Sequence, residues 1–441
     1  MPDNSKEKAL ACLRTHRSPV LRKYQRLVIT FLVLAGVINF FDRSALSIAG
    51  TLISKDYGFT PTEMGLIFSS FTITYALMHL PVGMILEKFG VRKVYFLCIF
   101  FWSLAQLCIG FISSYSVFIF IRLVLGAGEA PHLPTCVKVS SDWYNIKERG
   151  MPMSLTNSSS MIANIIAPPT LTLVMLSFGW HSLFIITGGA GILLAFMWAV
   201  FYKNRTQVKL THADLEYLGE ESNAAKHSVT FKEWAGLFKQ RTMWGMIIGF
   251  NGVGYMAFLC LSWIPMYFEK MHGLNLKEAG FVAMIPFIAA LAGMYLYGFT
   301  ADHFFQKGNL ITSRKWLICI SMLLSAFFTV ILAYSETLAS ALIFLSLAYL
   351  FIQFAGTGAW NLVNVATPSR MVTSVSSIQN FGGLIGGMIS PALTGWILAT
   401  TGSFHMAFLI CATISVITAV VYVCVVCNPI EELNRSGNAN Q

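Results

Sequence analysis

Four ionisable side chains stand in stretches otherwise apolar enough for lipid. Asp42 and Arg43 lie in Phe41-Asp42-Arg43-Ser44, and Arg122 and Glu129 lie in Arg122-Leu-Val-Leu-Gly126-Ala-Gly128-Glu129. A charge at mid-bilayer costs roughly 2.5 to 3.5 kcal/mol on insertion scales, and groups kept there line ion or substrate paths or pair with one another. Their types fit two linked kinds of chemistry. An arginine offers a planar fork of donors that binds a carboxylate, and a buried carboxyl takes up or releases a proton as its neighbours change. The four charges sum to zero, so a neutral interhelical network is the competing reading. Cohesion alone is a weak reason to keep such a network, because apolar replacements of buried ion networks are often neutral or stabilising. A functional site within the membrane is therefore the reading these residues favour.

Spacing fixes how they point. Residues seven apart on an α-helix lie nearly in line, so Arg122, Gly126 and Glu129 share one stripe. Pro131 and Pro134 follow and each removes a backbone donor, which predicts a kink whose freed carbonyls face a polar cavity rather than lipid. Asp42 and Arg43 point about 100° apart. Asn39 lies one turn before Asp42, and each member of the charged pair must find partners on other helices.

The elements that hold these groups are membrane helices. The chain has 441 residues, 56% hydrophobic and 11% charged, with mean hydropathy +0.65, whereas soluble domains carry about 25% charged residues. About 20 apolar residues cross about 30 Å of hydrocarbon. Twelve runs qualify, near 27-53, 64-86, 94-113, 115-138, 151-177, 181-202, 243-268, 278-300, 316-334, 339-361, 372-399 and 404-427. None alternates as a barrel strand would, so the expected class is an all-α polytopic membrane protein.

The net charge of +10 sorts by side instead of forming a patch for nucleic acid. Of the 30 lysines and arginines, 25 fall in the tails, the even-numbered connections or their flanks; Lys55, Lys270 and Lys277 lie in odd-numbered connections. The positive-inside rule then puts both termini in the cytoplasm. The first 26 residues hold seven Lys or Arg, and the apolar run after them is too long for a signal peptide, so it reads as a retained first helix. All nine cysteines except Cys12 lie in apolar runs, where cysteine packs as a small hydrophobe. The nine histidines are scattered without ligand spacing, and no phosphate loop occurs, so no metal site and no ATP-driven step is expected. His79, one turn after Tyr75, reads as packing.

Residues 203-242 are polar, from Lys203-Asn-Arg205 to Arg241. They divide the chain into an N-terminal tail (1-26), a first six-helix bundle (27-202), a cytoplasmic linker (203-242), a second bundle (243-427) and a C-terminal tail (428-441). Leu215, Tyr217, Leu218, Phe231, Trp234 and Leu237 would put short amphipathic helices in the linker, lying at the interface. The two bundles echo each other. Gly83-Met-Ile-Leu-Glu87-Lys88-Phe-Gly90 precedes Arg92-Lys93, and Gly298-Phe-Thr-Ala-Asp302 precedes Lys307-Gly308 and Arg314-Lys315. A glycine that lets helices approach, with an acid four residues on at a helix end, makes an interhelical latch of Gly83, Glu87, Arg92, Gly298 and Asp302. Internal repetition of this kind points to a transporter.

These strings resemble the signature loop of the major facilitator superfamily, with Glu87 where that family usually has Asp. The resemblance implies twelve helices in two pseudo-symmetric six-helix bundles around a cavity open to one side at a time. Asn39-Phe40-Phe41-Asp42-Arg43-Ser44, Arg122 to Pro131, Asp142-Trp143-Tyr144-Asn145-Ile146-Lys147-Glu148-Arg149-Gly150, Arg241-Thr-Met-Trp244-Gly-Met and Ser377-Ile-Gln379-Asn380-Phe381 are similar to the anion:cation symporter family, in its bacterial sugar-acid branch. That resemblance implies Arg43 as partner of the substrate carboxylate, together with Arg122 and with Tyr75 positioning it. Asp42 and Glu129 become proton carriers, and Thr357, Trp360 and Asn380 read sugar hydroxyls. Phe40 stands where sugar-acid relatives often have Tyr. Gln353 and Asn361 are left unassigned.

The expected function is secondary transport and no enzymatic reaction: proton-coupled symport of a galactonate- or hexuronate-like anion across a bacterial inner membrane. The chain would act as a monomer in lipid, with the proton as coupling ion and no other cofactor. An exchanger or a sodium-coupled carrier is the alternative within the family. A sensor that binds without transport is the remote one.

Overall fold

Helix ends follow local chemistry. The first helix, α1 (Pro19–Tyr57), opens at Ser18, whose hydroxyl accepts the Leu21 N–H at 3.1 Å, and has Pro19 where no N–H is needed. It closes at Gly58, whose φ of 69° lies in the left-handed region that glycine adopts without penalty. The computed structural model describes residues 17–79, 81–145, 148, 150–218, 231–304, 310–368, 371–426 and 428–430. In it α1 is followed by α2 (Pro61–His79), α3 (Val82–Phe89), α4 (Val91–Ile109), α5 (Tyr115–Glu129), α6 (His132–Trp143), α7 (Gly150–Phe178) and α8 (Trp180–Phe201). The linker holds α9 (His212–Leu218) and α10 (Phe231–Leu237). The second half is α11 (Arg241–His272), α12 (Leu276–Val282), α13 (Met284–Phe304), α14 (Leu310–Ala333), α15 (Leu338–Ala366), α16 (Val372–Thr401) and α17 (His405–Cys424).

Eleven segments among the described residues are long and apolar enough to cross a membrane. The remaining run is split into α2 and α3 around Pro81, and α2 carries Glu63 with Thr62, Ser69, Ser70, Thr72 and Thr74. The fourth run is α5 and α6, interrupted at Ala130-Pro131 as the proline spacing predicts.

Helix pairing repeats between the halves. In the first, α4 packs on α8 and α5, α2 on α5, and α1 on α7 and α8; in the second, α14 packs on α17 and α15, α13 on α15, and α11 on α16 and α17. A repeated polar device accompanies it. Arg92, opening α4, donates from Nη2 to the Ala199 carbonyl at 2.6 Å near the end of α8, and Lys315 on α14 donates to the Val423 and Val426 carbonyls at 3.2 and 3.3 Å near the end of α17. A cation at a helix C-terminus satisfies orphan carbonyls and the negative end of the dipole.

This differs in part from the expected latch. Arg92 bonds a helix end; the side chain of Glu87, the surroundings of Gly83 and the side chain of Asp302 lie outside the described residues. Gly298 is not held by close approach, since a Cβ there would meet nothing within 4 Å.

The halves meet through α2 with α16, α1 with α11, and α7 with α12 and α13. Both α1 and α11 run from the side that carries the described chain ends, here the terminal side, to the opposite, far side. Among the described residues, the tightest approaches between halves all lie towards the far side. A Cβ at Gly65 would be 2.5 Å from the Pro391 carbonyl, one at Gly395 would be 2.3 Å from the Pro61 carbonyl, and one at Gly280 would be 2.0 Å from the Thr172 hydroxyl. There too Ser47 donates to the Ser262 carbonyl at 2.9 Å, and Phe68 meets Trp263 edge to face. Towards the terminal side Asn157 of α7 and Trp360 and Asn364 of α15 are exposed.

The linker packs on the first half. Ser18 N–H donates to Asp214 at 2.9 Å, Tyr217 donates to Glu148, and Arg17 pairs with Glu148 at 2.9 Å. Tyr217 and Leu218 are buried while Leu215 is exposed, so α9 lies against protein and presents Leu215 outward. Burial acts to raise the Asp214 carboxyl, but hydrogen bonds from Ser18 and Thr211 outweigh it and hold the group below the usual carboxylate range. Burial, and next the Glu148 carboxylate to which it donates, push Tyr217 up to about 12.

Candidate functional site

The charged constellation is assembled by α1, α2 and α5. Gly126 brings α5 against α2, since a Cβ there would lie 2.1 Å from the Phe71 carbonyl. This closeness lets Glu129, one turn further along α5, reach across to α1. Its Oε2 pairs with Arg43 Nε at 2.8 Å, with the two side chains 0% and 10% exposed. Glu129 Oε1 has no hydrogen-bond partner. The Arg43 guanidinium lies over the rings of Phe40, Phe71 and Tyr75, 4.9, 4.9 and 4.7 Å from their centroids, and each such contact favours the cation in a desolvated setting. Phe40 therefore serves as a platform for Arg43 through its ring.

Asp42 faces elsewhere, as the 100° offset requires. Its carboxyl is fully buried inside the first bundle. Gln106 of α4 donates to the Asp42 carbonyl at 3.4 Å and to the Thr187 hydroxyl of α8 at 3.1 Å. Neither carboxyl oxygen of Asp42 has a full hydrogen bond. An ionised carboxylate without partners is costly in such surroundings.

Arg122 is the cation least compensated. It is buried, rides on the other side of Phe71 at 4.9 Å, and its Nε and Nη1 have no partner. It lines a cavity between the halves. Arg43, Phe68, Phe71, Thr72 and Arg122 form one wall, and Phe258, Leu261 and Ser262 of α11 form the other. The cavity volume is about 20 Å³, room for roughly one water. A six-carbon anion needs the halves to part there.

The structure thus brings Arg43, Tyr75, Arg122 and Glu129 together, with Asp42 behind them. It does not bring Thr357, Trp360 and Asn380 to this cavity. Thr357 donates to the Gln353 carbonyl of its own helix at 2.8 Å, Trp360 is 42% exposed and meets Phe250 edge to face, and Asn380 is half-buried. Four residues around the site were not among those expected from the sequence. Phe71, whose ring both arginines share, lies four residues before Tyr75 on one helical stripe, a spacing that could have revealed it. Gln106 and Thr187 carry no such signal. His132, a buried imidazole between two prolines, was visible but not singled out.

Residues 32–313 match the family described as Major Facilitator Superfamily. A probable L-galactonate transporter of Escherichia coli (strain K12) is 41% identical over 418 residues, covering 94% of this chain and 92% of the relative. The hexuronate transporter of Bacillus subtilis (strain 168) is 30% identical, covering 88% and 92%. Among solved structures, a bacterial homolog of the human lysosomal transporter Spinster, inward-facing and occupied, superposes with a TM-score of 0.75 at 17% identity, covering 91% and 96%.

Proposed function

The chain belongs to the major facilitator superfamily, and from that premise we propose that it carries a galactonate- or hexuronate-like sugar acid into the cytoplasm, coupled to protons, by alternating access. It is a multi-pass membrane transporter and not an enzyme. The observation that carries the substrate reading is Arg122, a buried cation with two unpartnered donors on the wall between the halves. A substrate carboxylate supplies the charge and acceptors that it lacks. The relatives' substrates, an L-galactonate and hexuronates by their names, are of that chemistry.

Coupling follows from competition for Arg43. While Glu129 is ionised, it holds Arg43. A proton on Glu129 releases the guanidinium to join Arg122 around the substrate carboxylate, with Tyr75 and Phe71 fixing its plane. Asp42, without partners for an anion, is the second proton carrier. When the halves close around the substrate, Thr357, Trp360 and Asn380 contribute from the second half to the sugar hydroxyls. The positive-inside distribution of Lys and Arg supports cytoplasmic termini, and the bacterial relatives support an inner membrane. Gly83 and Glu87 of α3, Arg92 of α4 and Gly298 and Asp302 of α13 stand towards the terminal-side helix ends, where a latch between the two states would act.

The test is uptake into proteoliposomes against a panel of aldonates, hexuronates and aldarates, with proton flux recorded. Uptake of an aldonate or hexuronate that follows an imposed pH gradient is expected. Glu129→Gln and Asp42→Asn should each lose gradient-driven accumulation while retaining substrate exchange. Normal accumulation in both variants overturns the proton assignment, and sodium-dependent uptake without proton movement replaces the coupling ion.

A further inference from the structure

Beyond the constellation, the first bundle buries an imidazole that this mechanism leaves unused. His132 opens α6, immediately after the Ala130-Pro131 break and three residues past Glu129. It is buried, and its Nδ1 lies 2.6 Å from the hydroxyl of Tyr95 on α4, itself fully buried. Its Nε2 faces α1 and α7. A Cβ at Gly36 would sit 3.2 Å from Nε2 and 2.4 Å from the Ser159 hydroxyl, so the bare glycine makes the room the ring occupies. The Cys136 sulfur, at 3.9 Å, is the weak neighbour of Nε2. Glu129 Oε1 and both amide atoms of Asn39, which lies beside Glu129 and one turn from Gly36 on α1, have no full hydrogen bond. A row of unsatisfied buried polar groups needs a reason. This one leads from Glu129 towards the terminal side, where α6 ends and α4 begins.

We propose that His132 is a proton-holding station, which takes the proton leaving Glu129 and passes it to the terminal side. The inference rests on Glu129 being a proton carrier. The step balances simply: the Glu129 carboxyl O–H breaks, the proton adds to the free lone pair of His132 Nε2 directly or across one water, and the imidazolium donates from Nδ1 to the Tyr95 oxygen. Glu129, again an anion, re-pairs with Arg43 and displaces the substrate carboxylate from it. Water entering from the terminal side then takes the proton, and neutral imidazole is restored. The groups that bear on His132 are Arg43 from α1, Tyr95 and, behind it, Cys98 from α4, and Cys136 from its own segment. On α7 the neutral Ser159 lies across Gly36 from it.

The test uses the full chain in proteoliposomes with galactonate as probe, measuring substrate exchange, net uptake driven by a pH gradient, and the dependence of net uptake on the pH facing the terminal side. In His132→Gln, net uptake should fall at least about tenfold and lose its dependence on that pH, while exchange, which needs no deprotonation, falls less than about twofold. Tyr95→Phe should shift the ratio of net uptake to exchange in the same direction by a smaller factor. An unchanged ratio and pH profile in His132→Gln overturns the proposal. Equal loss of both activities in both variants marks a packing role and overturns it too. Uptake by the unaltered protein that ignores the pH gradient instead sinks the proton-coupling reading itself.

Discussion

Arg43 and Arg122 share one aromatic ring but differ in what holds them. Arg43 has a carboxylate and three ring faces, whereas Arg122 has the Phe71 face and two idle donors. A charge-assisted hydrogen bond contributes about 1.5 to 3 kcal/mol, so Arg122→Lys, which loses the fork, should weaken substrate binding roughly 10- to 100-fold in a calorimetric or thermal-shift titration. Asp42→Asn is the complementary case. It replaces a group lacking partners with a neutral one of the same shape, so the melting temperature should not fall even as coupling is lost. The stripe of Arg122, Gly126 and Glu129 was legible from helical period alone, and so was the divergence of Asp42 from Arg43. Glu129 choosing Arg43, and Asp42 turning into the first bundle beside Thr187, depended on which helices become neighbours. One chain's local spacing does not encode that.

At the scale of elements, the break between α5 and α6 re-aims the chain so that Glu129 faces α1 and His132 faces α4. Two prolines announced it. The closure of α2 on α16 rests on Gly65 and Gly395, where backbone touches backbone. Gly65→Ala or Gly395→Ala forces a methyl into a 2.5 or 2.3 Å approach and should shift the population towards a state open on the far side. Labelling of a far-side cysteine by a membrane-impermeant thiol reagent should rise as transport falls. These contacts were not legible beforehand, because a glycine in an apolar run looks the same whether it meets a helix or lipid, as Gly298 illustrates. The linker gives a pH test. Asp214 is held below its ordinary range, so its hydrogen bonds stabilise α9 above the unfolded value of about 3.9 and are lost as pH falls through the lower, folded value. Hydrogen-exchange protection in residues 212–218, taken relative to the intrinsic amide rate at each pH, should therefore be high at neutral pH and fall only below about pH 4, and in Asp214→Ala it should be low throughout.

For the whole molecule, charge is divided unequally. No Lys or Arg lies within any of the six apolar runs of the second half, so the cavity has its arginines on one wall and neutral groups on the other. A substrate with a carboxylate at each end must bury one of them against Phe258, Leu261 and Ser262, without a partner. Uptake of an aldonate should accordingly exceed that of an aldarate by at least about tenfold, and an aldarate taken up equally well contradicts this division. The twelve runs, the two halves and the charged first bundle were readable because hydropathy and charge are local properties. The second-half contacts Thr357, Trp360 and Asn380 were placed by resemblance, and their distance from the cavity reflects a geometry that only the whole assembly sets. The far-side seam has one more consequence. A carrier that handles protons sits in a membrane whose stored gradient it could short-circuit, and any chain of water through the open side would meet that seam. Where Gly65 lies against Pro391 and Gly395 against Pro61, bare backbone meets bare backbone, and in a proton-coupled carrier such contacts would keep a water file from forming there.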